Sequence, residues 1–478
     1  MKYISFKKFI PFIIFFVFGI PLLFMPFGSL DELWNYNFAI NIARGRLPYV
    51  DFNMIQTPLS AYLAAIGILI FGNKLMVFRM IGIFLIAATY SLMYFICKRI
   101  TDNVTIACVV SIFSYAFCYQ IWTYNYNNLN LCIVLLIIFL ELKENKSNYE
   151  KYIIPLLYGL TPLIKQNTGI VLLMTFWIQT IFSCFHKRIS KKDSFIGILI
   201  SICPGTLFFF LLLINGILPE FWEYAALGVT TFTHRIYIWQ YMFLSPINFA
   251  VVIFILFTIV KSLILIIKDK CVVSREQHCR VLMSALSAGV VAYPLTDSYH
   301  IMVALIPYVI CFLCCFRYGV YTKKQNIICI ITAFAVLIIS PLVVLINLDN
   351  DEYVISNLKH YEGIPISRNI ENNIAAIDEY VLNKEQEGIN VIIANDAAAA
   401  YMIPIDRYTK NFDMLLVGNL GMKSVEGLLS EHPDAYFMVN HNDDTLGYQA
   451  HFELIRYIKD NFVKIGHVLN LDVYKAEN

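Results

Sequence analysis

The last 149 residues contain no cysteine; all 12 lie between Cys97 and Cys329. A disulfide-stapled C-terminal domain is therefore excluded, and that part must fold on its own apolar core. Charge is also scarce, at 15% of the 478 residues where a soluble domain carries about a quarter. With 59% hydrophobic residues, this excludes an ordinary soluble globule and reads as a polytopic membrane protein. Carboxylates are rarest in residues 1–348, which hold 13 Asp and Glu against 26 Lys and Arg, a net charge of +13. Residues 349–478 reverse the sign, with 21 against 10 and a net charge of −11. The split implies a membrane part and a tail in two different environments. The basic residues sit in short loops between apolar segments, so they mark membrane topology rather than nucleic-acid binding. There is no internal repeat, no low-complexity segment and no paired metal spacing among the cysteines. Cys311, Cys314 and Cys315 fit one helix face as apolar packing. No small-residue cleavage site follows the basic-then-apolar start, so that start reads as an uncleaved first span.

What is present is a series of apolar segments of membrane length. Eleven spans are expected, at about 9–28, 78–97, 104–121, 129–141, 152–164, 169–185, 194–214, 247–267, 281–294, 301–316 and 326–347. With the N-terminus inside, the inner loops hold 19 Lys and Arg and the outer loops hold Arg44, Arg46, Lys74, Arg79, Lys165 and Arg235. That bias orients the chain with a cytoplasmic N-terminus. An odd number of spans then places the 349–478 domain outside the cytoplasm. The long outer loops are 29–77 and 215–246. Residues 58–72 are too short to span and return, and read as a helix lying at the interface. The tail reads as a small α/β domain. Strands are expected in 390–395, 435–440 and 462–475, and helices in 367–386 and 450–461, with Gly388 at a C-cap position.

The outer carboxylates of the membrane part reduce to Asp31, Glu32, Asp51, Glu220, Glu223 and Asp297. Ser29 can cap a helix starting at Leu30, with Glu32 completing a capping box and Gly45 ending the helix. Asp31 is not needed for the box. It is either a favourable charge at the helix N-terminus or a base for an acceptor hydroxyl. Asp51, after Pro48 and Tyr49, either makes a turn or adds a second acid to the same cavity, with Tyr49 beside it. Lys165 and Gln166 break a long apolar run, and Lys165 either snorkels to headgroups or holds a lipid phosphate. His234 and Arg235 lie among aromatics, where they either anchor the interface or bind phosphate through the guanidinium fork. Asp297 and His300 can meet on one helical turn after Pro294. As a metal pair they lack a third ligand in sequence.

These residues resemble the GT-C class of integral membrane glycosyltransferases, in particular the branch of protein mannosyltransferases and the lipid A aminoarabinose transferase. The resemblance rests on Asp31-Glu32, the stretch from Asn41 to Gly45, Thr57-Pro58-Leu59, Phe71-Gly72 and Arg79, in that order after the first span. The PYVDF, KQNTG and YPLTDSYH segments look like those of bacterial members. It covers residues 1–345 and leaves the tail unmatched. It implies a polyprenyl-phosphate sugar donor, an extracytoplasmic acceptor, and Asp31 as the acidic loop residue with Glu32 beside it. Where the aminoarabinose transferase carries a second carboxylate at the start of the fourth span, this chain has Asn127, Asn128 and Asn130. Transfer without a metal cofactor is therefore favoured over use of a divalent cation.

The expected protein is a GT-C fold of about 11 transmembrane helices, with 1–348 in the cell membrane and an extracytoplasmic α/β domain in 349–478. Its expected activity is glycosyl transfer, with Asp31, Glu32 and Asp51 as catalytic acids. Lys165, Arg235 and His300 would bind the donor phosphate, and His234, Asp297, Gln166 and Tyr49 would line the site. The rival readings are a surface-polysaccharide polymerase, ligase or exporter, and a transporter. The first usually has its large loop late in the chain. The second needs charges buried in mid-span.

Overall fold

A computed structural model describes residues 8–26, 30–52, 54–119, 123–143, 147–227, 245–293, 297–318, 322–346, 353–394, 433–445 and 452–476. An α-helix lies on each of the eleven segments expected to span: α1 (Ile10–Gly19), α4 (Leu75–Thr101), α5 (Val104–Cys118), α6 (Tyr126–Glu141), α7 (Asn148–Ile164), α8 (Gln166–Phe185), α9 (Lys191–Ile214), α11 (Pro246–Ile267), α12 (Arg275–Gly289), α13 (Ser298–Leu313) and α14 (Lys323–Ile346). Among the described residues, five helices are long and apolar enough to cross a membrane by themselves: α4, α8, α9, α11 and, over Lys323–Ser340, α14. Between α1 and α4 lie α2 (Leu30–Ala43) and α3 (Leu59–Phe71); α10 (Leu218–Phe221) follows α9.

The chain divides into two compact units. The first comprises Met1–Leu22, Met80–Phe210 and Ile236–Asn347. Its helices pack as neighbours α6 on α7, α7 on α8, α5 on α14, α12 on α13 and α11 on α13. Glycine sets two of the closest approaches. A Cβ on Gly169 would lie 2.3 Å from backbone atoms of Thr161 and Pro162. A Cβ on Gly159 would lie 2.2 Å from the Ser201 carbonyl oxygen. Only hydrogen fits at either point, so α8 folds directly against the end of α7, with Lys165 alone between them in extended conformation. The cysteines near the end of α13 are buried, as the helix-face reading expects, and Ser262 Oγ lies 3.3 Å from Cys311 Sγ and 3.2 Å from Cys315 Sγ.

The second unit comprises Leu23–Arg79, Leu211–Arg235 and Leu348–Asn478, so the loop after α1 and the tail share one compact body. α2 packs on α3. α2 ends at Ala43, and Gly45 follows at φ +80°, the left-handed conformation that ends helices without a Cβ penalty. α3 covers residues 59–71 of the segment expected to be helical; Ala61, Ala64, Ala65 and Ile68 are buried while Leu69, Ile70 and Phe71 are exposed. In the tail, β3 (Val391–Ile393) pairs parallel with β4 (Tyr436–Asn440). β4 pairs antiparallel with β6 (Leu471–Ala476), and β6 with β5 (Phe462–Val468), giving the order β3-β4-β6-β5. α15 (Arg368–Gln386) buries Ile374, Ile377 and Val381, one stripe at helical spacing, and Gly388 takes φ +79° after it. α16 (Phe452–Asn461) buries Leu454, Ile455 and Ile458. The short antiparallel pair β1 (Tyr353–Ile355) and β2 (Pro365–Ser367) has no counterpart in the sequence reading, nor does α10.

Candidate functional site

α2 begins with Asp31 and Glu32 in its first turn, where carboxylates favour the positive end of the helix dipole. The two carboxylates then part company. Glu32 is 6% exposed, and its oxygens accept from Arg79 Nε at 2.7 Å and from Arg79 Nη2 at 2.8 Å. Arg79 is 7% exposed, and its Nη1 donates to the Leu23 carbonyl at 2.9 Å and to that of Met25. A planar fork on α4 therefore fixes both the start of α2 and the segment that leads to it. Ser29, the expected cap, lies outside the described residues; the Glu32 oxygens are held by Arg79. Asp31 is half-buried, and its backbone carbonyl accepts from Asn35 Nδ2 at 2.8 Å.

The polar face of α2 continues the network. Asn35, Asn37 and Asn41 are each at most 2% exposed. Asn35 Oδ1 accepts from Gln56 Nε2 at 2.9 Å, and the Gln56 carbonyl accepts from Tyr49 OH at 2.6 Å. Tyr49 holds φ +67°, uncommon for a side chain of its size. Its backbone bond to the Phe52 carbonyl at 2.7 Å and its edge-on packing against Phe221 hold it there. Burial pushes its phenol well above the ordinary tyrosine range, with Tyr62 adding to the effect, so it stays a neutral donor. Asp51 is exposed, and its Oδ2 accepts from the Leu47 N–H at 2.7 Å, which closes the local turn.

A second polar cluster lies in the first unit. Lys165 is 7% exposed; its Nζ donates to Asn127 Oδ1 and sits 5.2 Å from the centre of the Tyr126 ring. Asn125 caps α6 by accepting from the Asn128 N–H at 2.9 Å, and its Oδ1 also takes the Tyr299 hydroxyl at 2.9 Å. Asp297 caps α13, and one of its oxygens accepts both the His300 N–H and the His300 ring Nδ1, each at 2.8 Å. Burial alone would raise the Asp297 carboxyl. The hydrogen bonds and charge of His300, with the more distant charge of Lys165, outweigh burial and hold it below the usual range. Asn167 Nδ2, one residue past Gln166, donates to the Tyr293 carbonyl at 2.9 Å.

The structure thus brings Lys165, Asp297 and His300 into one electrostatic neighbourhood, with Gln166 at the start of α8. It groups Asp31, Glu32, Tyr49 and Asp51 in the second unit. His234 and Arg235 lie outside the described residues. The sequence reading treated Asn127, Asn128 and Asn130 only as a missing carboxylate. The structure buries all three, and Asn125 with them. Four amides in YNYNNLN at the edge of an apolar run were the available signal. Amides beside a buried cation suit an anionic or hydroxyl-rich ligand, because they donate hydrogen bonds without adding negative charge.

No protein-family model matches the chain, and no curated protein sequence matches it. Among solved structures it is similar in fold to a GT-C glycosyltransferase, an integral membrane enzyme class. That structure is the crystal structure of ArnT from Cupriavidus metallidurans in the apo state. The TM-score is 0.56 at 9% sequence identity, over 96% of this chain and 95% of that one. The likeness is one of fold: this chain is a multi-pass, mostly helical membrane protein with a GT-C-like fold and a C-terminal sheet.

Proposed function

We propose that the chain transfers a monosaccharide from a polyprenyl-phosphate carrier to an acceptor outside the cytoplasm. In this reading it crosses the cell membrane eleven times, with the N-terminus cytoplasmic and the 349–478 domain extracytoplasmic. The observation that carries it is the buried Lys165, set among neutral amides and beside the Asp297–His300 pair in a chain of ArnT-like fold. Asp31 deprotonates or orients the acceptor hydroxyl. The acceptor oxygen forms its bond to the anomeric carbon as the bond from that carbon to the phosphate oxygen breaks, and the phosphate leaves with the electron pair. Lys165, Arg235 and His300 hold the departing phosphate, so charge stabilisation takes the place of a metal. An apolar cavity of about 650 Å³, lined in part by Phe113, Phe117, Ile247, Leu305 and Ile339, supports accommodation of a prenyl chain.

The test uses the full chain reconstituted in lipid with a polyprenyl-phosphate hexose. Asp31→Asn should lower turnover by about 10²-fold or more, while expression and elution profile stay unchanged. Near-normal turnover removes Asp31 as the base. Transfer of a lipid-linked oligosaccharide, with no transfer of the monosaccharide, favours the polymerase or ligase reading instead.

A further inference from the structure

In the second unit, residues 356–364 of the tail form the loop between β1 and β2. This loop closes on itself: Ser356 N–H donates to the Ile364 carbonyl at 2.9 Å, and Gly363 N–H to that of Ser356 at 3.0 Å. Gly363 sits at φ +83°, and a Cβ there would lie 3.6 Å from Met76 Cε. The loop presents His360 and Tyr361, which are 6% and 3% exposed.

The His360 carbonyl and the Glu362 carboxylate find partners at the turn between α3 and α4. The first N–H of α4, on Leu75, donates to the His360 carbonyl at 2.9 Å. A helix leaves its first N–H groups without internal partners, so a tail carbonyl satisfies one of them here. Tyr36 OH donates to Asn73 Oδ1 at 3.1 Å and lies 3.5 Å from the same His360 carbonyl. Lys74 pairs with Glu362. The charge of Glu32 reaches the buried Tyr361 phenol. Arg79, the partner of Glu32, stands one helical turn beyond Leu75.

We propose that this tail loop positions the acidic motif: the His360 carbonyl fixes the first turn of α4, and the buried Tyr361 side chain anchors the loop that presents it. Through that turn they set the Arg79 fork that holds Glu32, and hence where α2 presents Asp31. Tyr361 is a positioning residue. The catalytic consequence rests on the transfer reading above; the structural link does not.

The experiment uses the full-length protein with two readouts: trypsin cleavage after Lys74, and steady-state transfer from a polyprenyl-phosphate hexose. Tyr361→Ala should open the Lys74–Leu75 bond to trypsin. It should also lower kcat by about tenfold, with the donor KM within about twofold, because orientation is lost rather than donor binding. Tyr361→Phe, which keeps the ring, should stay near wild type in both readouts. Glu362→Lys, an exposed change that leaves folding intact, should lower kcat by about threefold, and adding Lys74→Glu should restore it. Wild-type protection and kcat in Tyr361→Ala overturn the proposal, as does a double variant no better than Glu362→Lys. Lost protection in Tyr361→Ala, with no transfer by any form of the protein, supports the structural link and overturns the transfer reading instead.

Discussion

Glu32→Ala tests the most constrained contact in the second unit. It leaves the Arg79 guanidinium 7% exposed and without its carboxylate. Breaking a buried, hydrogen-bonded pair on one side costs about 3–5 kcal/mol, because the remaining charge is uncompensated. For a unit of this size each kcal/mol lowers the melting midpoint by roughly 2–4 °C, so a fall of roughly 6–20 °C is expected. Arg79→Ala should cost more than Glu32→Ala. It also removes the donor to the Leu23 and Met25 carbonyls, and an orphaned buried polar group costs about 1–3 kcal/mol. Glu32→Leu combined with Arg79→Met leaves neither charge behind and should lose less than either single truncation. The assay is the fraction of monodisperse protein left after heating in detergent, read by size exclusion. A Glu32→Ala midpoint within about 1 °C of wild type would refute the reasoning, as would a double variant whose loss equals the sum of the singles.

Lys165→Gln should lower transfer by about 10²-fold while Lys165→Arg keeps part of it; equal loss in both variants, measured at saturating donor, would show that position rather than charge is at stake. Gly169→Ala puts a methyl 2.3 Å from the backbone of α7 and should destabilise by about 3 kcal/mol or more, seen as poor recovery in detergent; wild-type recovery would mean that α7 and α8 part easily. The third prediction concerns pH. Burial, with Arg44 and Lys359, holds the His360 imidazole below its ordinary value of 6.5, against the Asn73 backbone and Asp378. A group whose folded value is depressed contributes stability above its unfolded value and loses it as pH falls through the folded one. Thermostability should therefore fall as pH drops below about 6.5, and His360→Gln should flatten that dependence.

Hydropathy made the helical part legible because a span must be long and apolar whatever surrounds it. The tail sheet was legible for a similar reason: NVIIAN and AYFMVN can only be buried. The β1–β2 pair was not, since each strand has three residues and β2 opens on Pro365, a residue that signals a break. Glu32 carried two local readings, cap and acid. Its partner lies 47 residues away, beyond the reach of any spacing rule. The asparagines in the first turns of α6 are read in the sequence for the charge they lack. Their partners include Lys165, at the joint between α7 and α8, and Tyr299, on α13, both far away in sequence.

The joint between the tail loop and the α3–α4 turn has a consequence for how the protein is made. Lys74 and Glu362 are separated by 288 residues, so the turn leaves the ribosome long before the segment that completes it. Until then the first N–H of α4 has only water or lipid headgroups to satisfy it, and Arg79 grips Glu32 on an unfinished foundation. Contacts of such long range make folding slow. A chain truncated before Tyr361 would thus carry every apolar helix and still leave its earliest loop unset.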